Sequence, residues 1–291
     1  NDSTLFAASG RRTLRGFFDK LKAGPAVSRG RPLLFYFAKG TSMSERFLRN
    51  EMMLGHDAVE RLAAAHVCVV GLGGVGSYAV EALARSGVGQ LTLIDQDAYS
   101  ESNINRQLGA LTSTIGVPKA QALAQRVADI NPRCAVHPIV GRYSPEEGER
   151  FFAGYDYLVD AIDLVSCKVD LILRAMAKNI PIISALGTGN KLDPSLLQVA
   201  DLSKTYGCPL ARVMRRELGR RGVKHLKVVF SPEEPVDTLQ LEAPPPGRRS
   251  VPASVPWVPS VAGLLLGGAV VMDLVGDLLP QAQNRQEGDA Q

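Results

Sequence analysis

The sequence predicts an α/β protein: a mostly parallel β-sheet with helices on both faces and a C-terminal extension of antiparallel and crossover elements. Three observations predict it. Short apolar runs of strand length alternate with helix-like segments from residue 66 to residue 185, the pattern of βαβ units. A glycine-rich turn, Gly71-Leu72-Gly73-Gly74-Val75-Gly76, links the first strand to the helix after it. Beyond Leu196 the alternation gives way to two strands around a basic helix, a proline-rich stretch and one long apolar helix.

The elements follow in order. Ser44–Ala64 has helical composition and leads into an apolar strand, His66–Val70, that stops at Gly71. Ser77–Ser86 reads as a helix closed by Gly87, a residue suited to a left-handed C-terminal cap. Leu91–Ile94 is the second strand. After a loop, a helix from Pro118 to Ile130 places its proline at the first turn, where a missing N–H costs little. Ala135–Val140, Tyr157–Ile162 and Pro181–Ala185 are further strands, separated by helical segments at Glu146–Phe152 and Cys167–Lys178. A strand (Leu197–Ala200), a basic helix (Pro209–Arg221) and a strand (Lys227–Phe230) come next. Residues 231–259 hold eight prolines and are expected to form a crossover loop. A helix over Ser260–Leu279 and a polar tail, 281–291, close the chain.

With 291 residues, 45% apolar and 21% charged, the chain has room for one large domain or two small ones and lies outside the collagen, coiled-coil and disordered classes. We take 43–280 as that domain. Residues 1–42 read as a disordered basic extension, with eight Lys/Arg against two Asp/Glu, and Met43 as a plausible true start. Residues 201–230 carry the same excess, eight against two, while the rest of the chain is acidic. Cys68, Cys134, Cys167 and Cys208 form no CxxC pair, which argues against a disulfide scaffold and a cysteine zinc site. The apolar run Val261–Met272 falls short of the roughly 18 residues that span a bilayer, so it reads as a buried helix and not a membrane span. A cytoplasmic enzyme is the expectation.

The glycine turn, placed between strand and helix, is a Rossmann-like nucleotide fingerprint. Gly71, Gly73, Gly74 and Gly76 let the backbone turn tightly and approach phosphate at a helix N-terminus. Asp95, 19 residues beyond Gly76, is placed to hold ribose hydroxyls, with Asp97 beside it. A nicotinamide dehydrogenase shows the same fingerprint. The residues downstream separate the two: Asn103 and Arg106 in Ser102-Asn103-Ile104-Asn105-Arg106-Gln107, and Lys119 in Gly116-Val117-Pro118-Lys119-Ala120. A dehydrogenase has no evident use for them. An enzyme that cleaves ATP at its α-phosphate does, because pyrophosphate leaves with several negative charges. The fourth strand runs out through Asp160-Ala161-Ile162-Asp163, where Asp163 suits a Mg²⁺ riding on the phosphates and Asp160 reads as a strand-end cap.

Together these motifs resemble the ubiquitin-activating-enzyme-like superfamily of ATP-dependent adenylating enzymes, over roughly 44–200. The resemblance implies that Asp95, Asn103, Arg106, Lys119 and Asp163 bind ATP and Mg²⁺. It also implies a homodimer in which an N-terminal arginine reaches the partner's phosphates. Arg46 best matches that position, although a solvated charge at a helix start reads equally well.

Within the superfamily, sulfur-carrier activators typically hold a structural zinc with two CxxC pairs, absent here. Ile130-Asn131-Pro132-Arg133-Cys134 and Asp201-Leu202-Ser203-Lys204-Thr205 resemble instead the branch that dehydrates threonylcarbamoyladenosine in tRNA. That resemblance implies adenylation of the threonyl carboxylate, ring closure by the neighbouring carbamoyl group, and sulfur-transfer proteins as further partners. A sulfur-carrier adenylyltransferase is the alternative. Arg212, Arg215, Arg216 and Arg220 recur at helical spacing on one face and are candidates to contact tRNA phosphates. The branch's cysteine near the last helix is missing, since 250–257 contains no thiol. No cysteine nucleophile is therefore expected, and the four histidines read as structural.

Overall fold

Strand and helix alternate along the chain because the central strands of the sheet are buried on both faces and need a helix packed on each. The computed structural model describes residues 45–241, 243 and 251–279. The extension expected at 1–42 and the tail expected at 281–291 lie outside them. After a 3₁₀ turn at Glu45–Phe47 come α1 (Leu48–Leu54), α2 (His56–Ala64), β1 (His66–Val70), α3 (Gly76–Ser86) and β2 (Gln90–Asp95). Then follow α4 (Lys119–Ile130), β3 (Ala135–Val140), β4 (Tyr157–Asp160), α5 (Val165–Ala177) and β5 (Ile182–Ala185). The extension contains β6 (Gln198–Asp201), α6 (Pro209–Gly219), β7 (Lys227–Phe230) and α7 (Trp257–Val275).

The seven strands lie in the order β3-β2-β1-β4-β5-β7-β6, all parallel except β6, which runs antiparallel to β7. The order reverses between β1 and β4. Open α/β sheets bind ligands at such a point, outside the carboxyl ends of the strands. Pro138 sits in β3, an edge strand where a missing donor is tolerated. Alternate residues of β1 serve two cores. Val67 and Val69 pack with α3, α4 and α7, whereas Cys68 and Val70 pack with α5 and α6.

Several boundaries differ from the sequence reading for identifiable reasons. The lead-in helix is broken at Gly55, whose φ of +90° no helix accommodates. The segment expected to be helical at 146–152 closes only a 3₁₀ turn, Gly148–Phe151. The last helix starts three residues early, at Trp257, because Pro259 falls in its first turn. With the turn after it, this helix gives a 22-residue apolar stretch, long enough by composition to cross a membrane, where the sequence suggested a dozen. Packing accounts for that composition. A Cβ on Gly263 would lie 2.2 Å from the Val75 carbonyl oxygen, and one on Gly267 2.5 Å from the Ala82 Cβ, so α7 lies directly on α3.

Gly263→Ala is expected to destabilise the fold by about 1–3 kcal/mol in urea melts, because the backbone beneath it has no room to give. Gly268→Ala, which meets nothing within 4 Å, is expected to stabilise by about 0.5–1 kcal/mol.

Candidate functional site

The site forms where β1 and β4 end side by side. The chain leaves β1 through Gly71 (φ +90°), and a Cβ there would lie 2.6 Å from the Ala161 carbonyl oxygen after β4. Gly76 crosses so close to Gly71 that a Cβ would lie 1.8 Å from its carbonyl oxygen, and Gly74 meets Pro259 of α7. Gly73 alone of the four has an open side, with the Gln107 Nε2 nearest at 3.9 Å. Close backbone approach thus requires a glycine at 71 and 76, Gly74 is in tight contact, and Gly73 has open space beside it.

Asp95 fastens the loop. Its Oδ2 accepts from the Leu72 N–H (2.7 Å) and its Oδ1 from the Asp97 N–H (2.8 Å). Asp97 in turn pairs with Lys119, Nζ to Oδ2 at 3.0 Å, while the Lys119 N–H donates to the Asp97 carbonyl (2.9 Å). The lysine side chain is 7% exposed and the aspartate 54%, so a buried stem presents an ammonium under an accessible carboxylate.

Asn103 shapes its own turn: its Oδ1 accepts from the Ser100 N–H (3.2 Å), and its carbonyl accepts from the N–H groups of Arg106 and Gln107. Arg106 is half-buried, with Nη1 donating to the Ser102 carbonyl (2.8 Å) and Asn105 Oδ1 (2.9 Å). The other end of the Asn105 amide donates to the Ser254 carbonyl (3.0 Å), joining this loop to the chain that enters α7. Asp163 is exposed, two residues beyond the Ala161 contact with Gly71. Beside it opens a cleft of about 420 Å³ lined by Arg142, Ser144, Glu146, Leu164, Ser166 and Cys167. It adjoins Asp95 through the hydrogen bond from the Gly141 N–H to the Asp95 carbonyl (3.1 Å).

The other candidates lie elsewhere. Arg46 donates to the Asp129 and Ile130 carbonyls at the C-terminus of α4 (3.1 and 3.0 Å), where a cation suits the helix dipole. Roughly 16 Å of helix separates that end from Lys119, at 1.5 Å per residue. On α6, Arg212 is exposed, and Arg216 together with Arg220, the residue that caps the helix C-terminus, flanks Glu217 at 3.2 and 3.8 Å. Arg215 turns back to donate to the Thr205 carbonyl (2.7 Å) and hydroxyl. Burial pushes the thiols of Cys68 and Cys167 above their usual range and that of Cys134 up to about 11.

The sequence reading missed Lys168. This residue is 0% exposed, on the same stripe of α5 as Leu171, Ile172 and Ala175. A lysine inside an apolar helical stripe was the available signal.

The tRNA threonylcarbamoyladenosine dehydratase of Bacillus subtilis is 44% identical over 246 residues, covering 81% of this chain and 97% of that protein. The Escherichia coli protein of the same name is 42% identical over 175 residues, covering 60% of this chain and 65% of that one. The structure of E. coli tRNA N6-threonylcarbamoyladenosine dehydratase in complex with ATP superposes with a TM-score of 0.73 at 34% identity, covering 81% of this chain and 98% of that one. The profile of the ThiF family matches residues 47–272, a span that includes every element of the site, and the chain belongs to the ThiF family.

Proposed function

We propose that this chain is an ATP-dependent dehydratase that acts on threonylcarbamoyladenosine in tRNA. The carrying observation is the convergence of the glycine loop, Asp95, Arg106, the Lys119–Asp97 pair and Asp163 at one sheet edge. Its support is the extent of the likeness to the Bacillus subtilis dehydratase.

The reaction solves a leaving-group problem, since a bare carboxylate cannot be displaced. An oxygen of the threonyl carboxylate attacks the α-phosphorus of ATP. The bond to the bridging oxygen breaks, and pyrophosphate departs with its electron pair. Arg106 and Lys119 stabilise the charge that develops there, which a fixed guanidinium and ammonium do without reorganisation. An atom of the neighbouring carbamoyl group then attacks the acyl carbon and loses its proton, and AMP leaves as the ring closes. The attacking atom belongs to the substrate, so no side-chain nucleophile is required.

The backbone around Gly73 faces the phosphates, with Asp97 and Asn103 shaping the loops around them. Asp95 borders the ribose, and the cleft beside Leu164 has room for the base. Among the described residues no group of three or more His, Cys, Asp or Glu could hold a metal ion. Exposed at the end of the turn after β4, Asp163 would hold a Mg²⁺ carried in on the nucleotide. Bound there, the ion would neutralise charge on the polyphosphate.

The tRNA lies along α6, with Arg212, Arg216 and Arg220 as phosphate contacts and Arg215 bracing the helix on Thr205. The active form is a homodimer in the cytoplasm. Arg46, remote from its own phosphate site, serves the partner's, and the exposed Leu48, Met52 and Met53 beside it supply apolar contact area. The resemblance adds sulfur-transfer proteins as further partners.

The full chain, incubated with ATP, Mg²⁺ and tRNA bearing the modified adenosine, is expected to yield a nucleoside lighter by one water, read by mass spectrometry. Pyrophosphate exchange stimulated by a small carrier protein ending in Gly-Gly, with indifference to tRNA, would establish the alternative. Lys119→Ala is expected to lower turnover by about 10²–10³-fold with the fold retained. Arg212→Glu combined with Arg216→Glu is expected to reduce the salt dependence of tRNA binding by about one to two in log–log slope, and to leave ATP affinity unchanged.

A further inference from the structure

The turn that carries Asp163 is held by two buried charges outside the phosphate site itself. Asp160, the last residue of β4, and Lys168 of α5 are both completely buried and form an ion pair, Nζ to Oδ2 at 2.9 Å. The Ser184 hydroxyl donates to the same Oδ2 (2.6 Å). Between the two charges lies Ile162. Its N–H donates to Asp160 Oδ1 (3.1 Å), and its carbonyl accepts from Lys168 Nζ (3.0 Å). Asp163 is the next residue.

Stability does not account for such a pair, because apolar side chains of similar volume commonly serve a protein core as well or better. What apolar side chains cannot do is grip the N–H and the C=O of one peptide-bearing residue at once. On its outer side the turn is pressed by Gly71 against Ala161. The segment from Asp160 to Asp163 is thus fixed from inside the sheet and from across the crevice.

We infer that Asp160 and Lys168 are positioning residues that aim the Asp163 carboxylate at the nucleotide's phosphates and the cation they carry. The inference rests on the role proposed above for Asp163 and deepens it. Neither residue touches nucleotide; each acts through the backbone of Ile162. A misaimed carboxylate leaves the rest of the crevice intact, so the loss falls on the metal-dependent part of nucleotide binding.

The test measures ATP affinity of the full chain by calorimetry, once with Mg²⁺ and once with EDTA. Because Lys168→Met alone strands the Asp160 charge, the informative chain is the double variant D160N/K168M, compared with Asp163→Asn and with the triple variant. Urea melts establish that each is folded. We expect D160N/K168M to lose about ten-fold of the Mg²⁺-dependent tightening, as a displaced carboxylate would, with EDTA affinity unchanged. Adding D160N/K168M to Asp163→Asn is expected to cost nothing more, since residues acting through one group are not additive. Wild-type Mg²⁺ dependence in a folded double variant, equal losses with and without Mg²⁺, or additive losses in the triple variant would overturn the inference. If Asp163→Asn itself leaves the Mg²⁺ dependence unchanged, the proposed role of Asp163 falls, and this inference falls with it.

Discussion

The approach of Gly71 to the backbone of Ala161 is the constraint on which the rest of the site depends. Two parallel strands, β1 and β4, end next to each other, and their onward chains must separate without a side chain between them. Only a residue without a Cβ, at a φ of +90°, permits that contact. Once it is made, the loop after β1 is directed over the sheet edge, and Asp95 on the next strand accepts its Leu72 N–H. The turn after β4 is held at the same height, which brings Asp163 to the same crevice. Fold and site are therefore not separate layers of design. The glycines that allow the strand ends to pack, Gly71 and Gly76, flank the one that leaves open space, Gly73.

The last helix takes part in this arrangement. α7 is sequence-distant from the glycine loop, yet Pro259 touches Gly74 and the backbone of α3 runs beneath Gly263 and Gly267. The residues before it reach Asn105 through the Ser254 carbonyl and Asn190 through Ala253, whose N–H donates to Asn190 Oδ1 at 2.7 Å. Lys191, a buried ammonium whose pKa burial lowers, donates to the carbonyls of Ser231 and Glu233 where the crossover sets out. The proline-rich crossover is thus pinned at both ends near the sheet's carboxyl edge.

Much of this was legible in the sequence. β1, β3 and β7 lie where their apolar runs placed them, and Gly87 caps its helix at a φ of +91°. Motif residues with fixed spacing, such as Gly71, Asp95, Arg106, Lys119 and Asp163, read as one group because their chemistry has a shared purpose. What the sequence hides is pairing across space. Neither the Asp97 partner of Lys119 nor the Lys168 partner of Asp160 follows from periodicity, because each depends on how loops meet after the sheet is built. The same holds for Arg215. Its spacing puts it with Arg212 and Arg216, but its side chain folds back on Thr205. Helical spacing fixes a Cβ direction, and a long side chain has several bonds in which to depart from it.

The Lys119–Asp97 pair also bears on which anions the crevice admits. The ammonium already has a partner of one negative charge, held beside it by the Lys119 N–H and the Asp97 carbonyl. A chloride or a simple carboxylate offers that lysine no greater valence than its resident neighbour and gains little by replacing it. A polyphosphate, with several charges spread over one short chain, does gain. Any anion that reaches this ammonium therefore competes with a carboxylate already 3.0 Å from it.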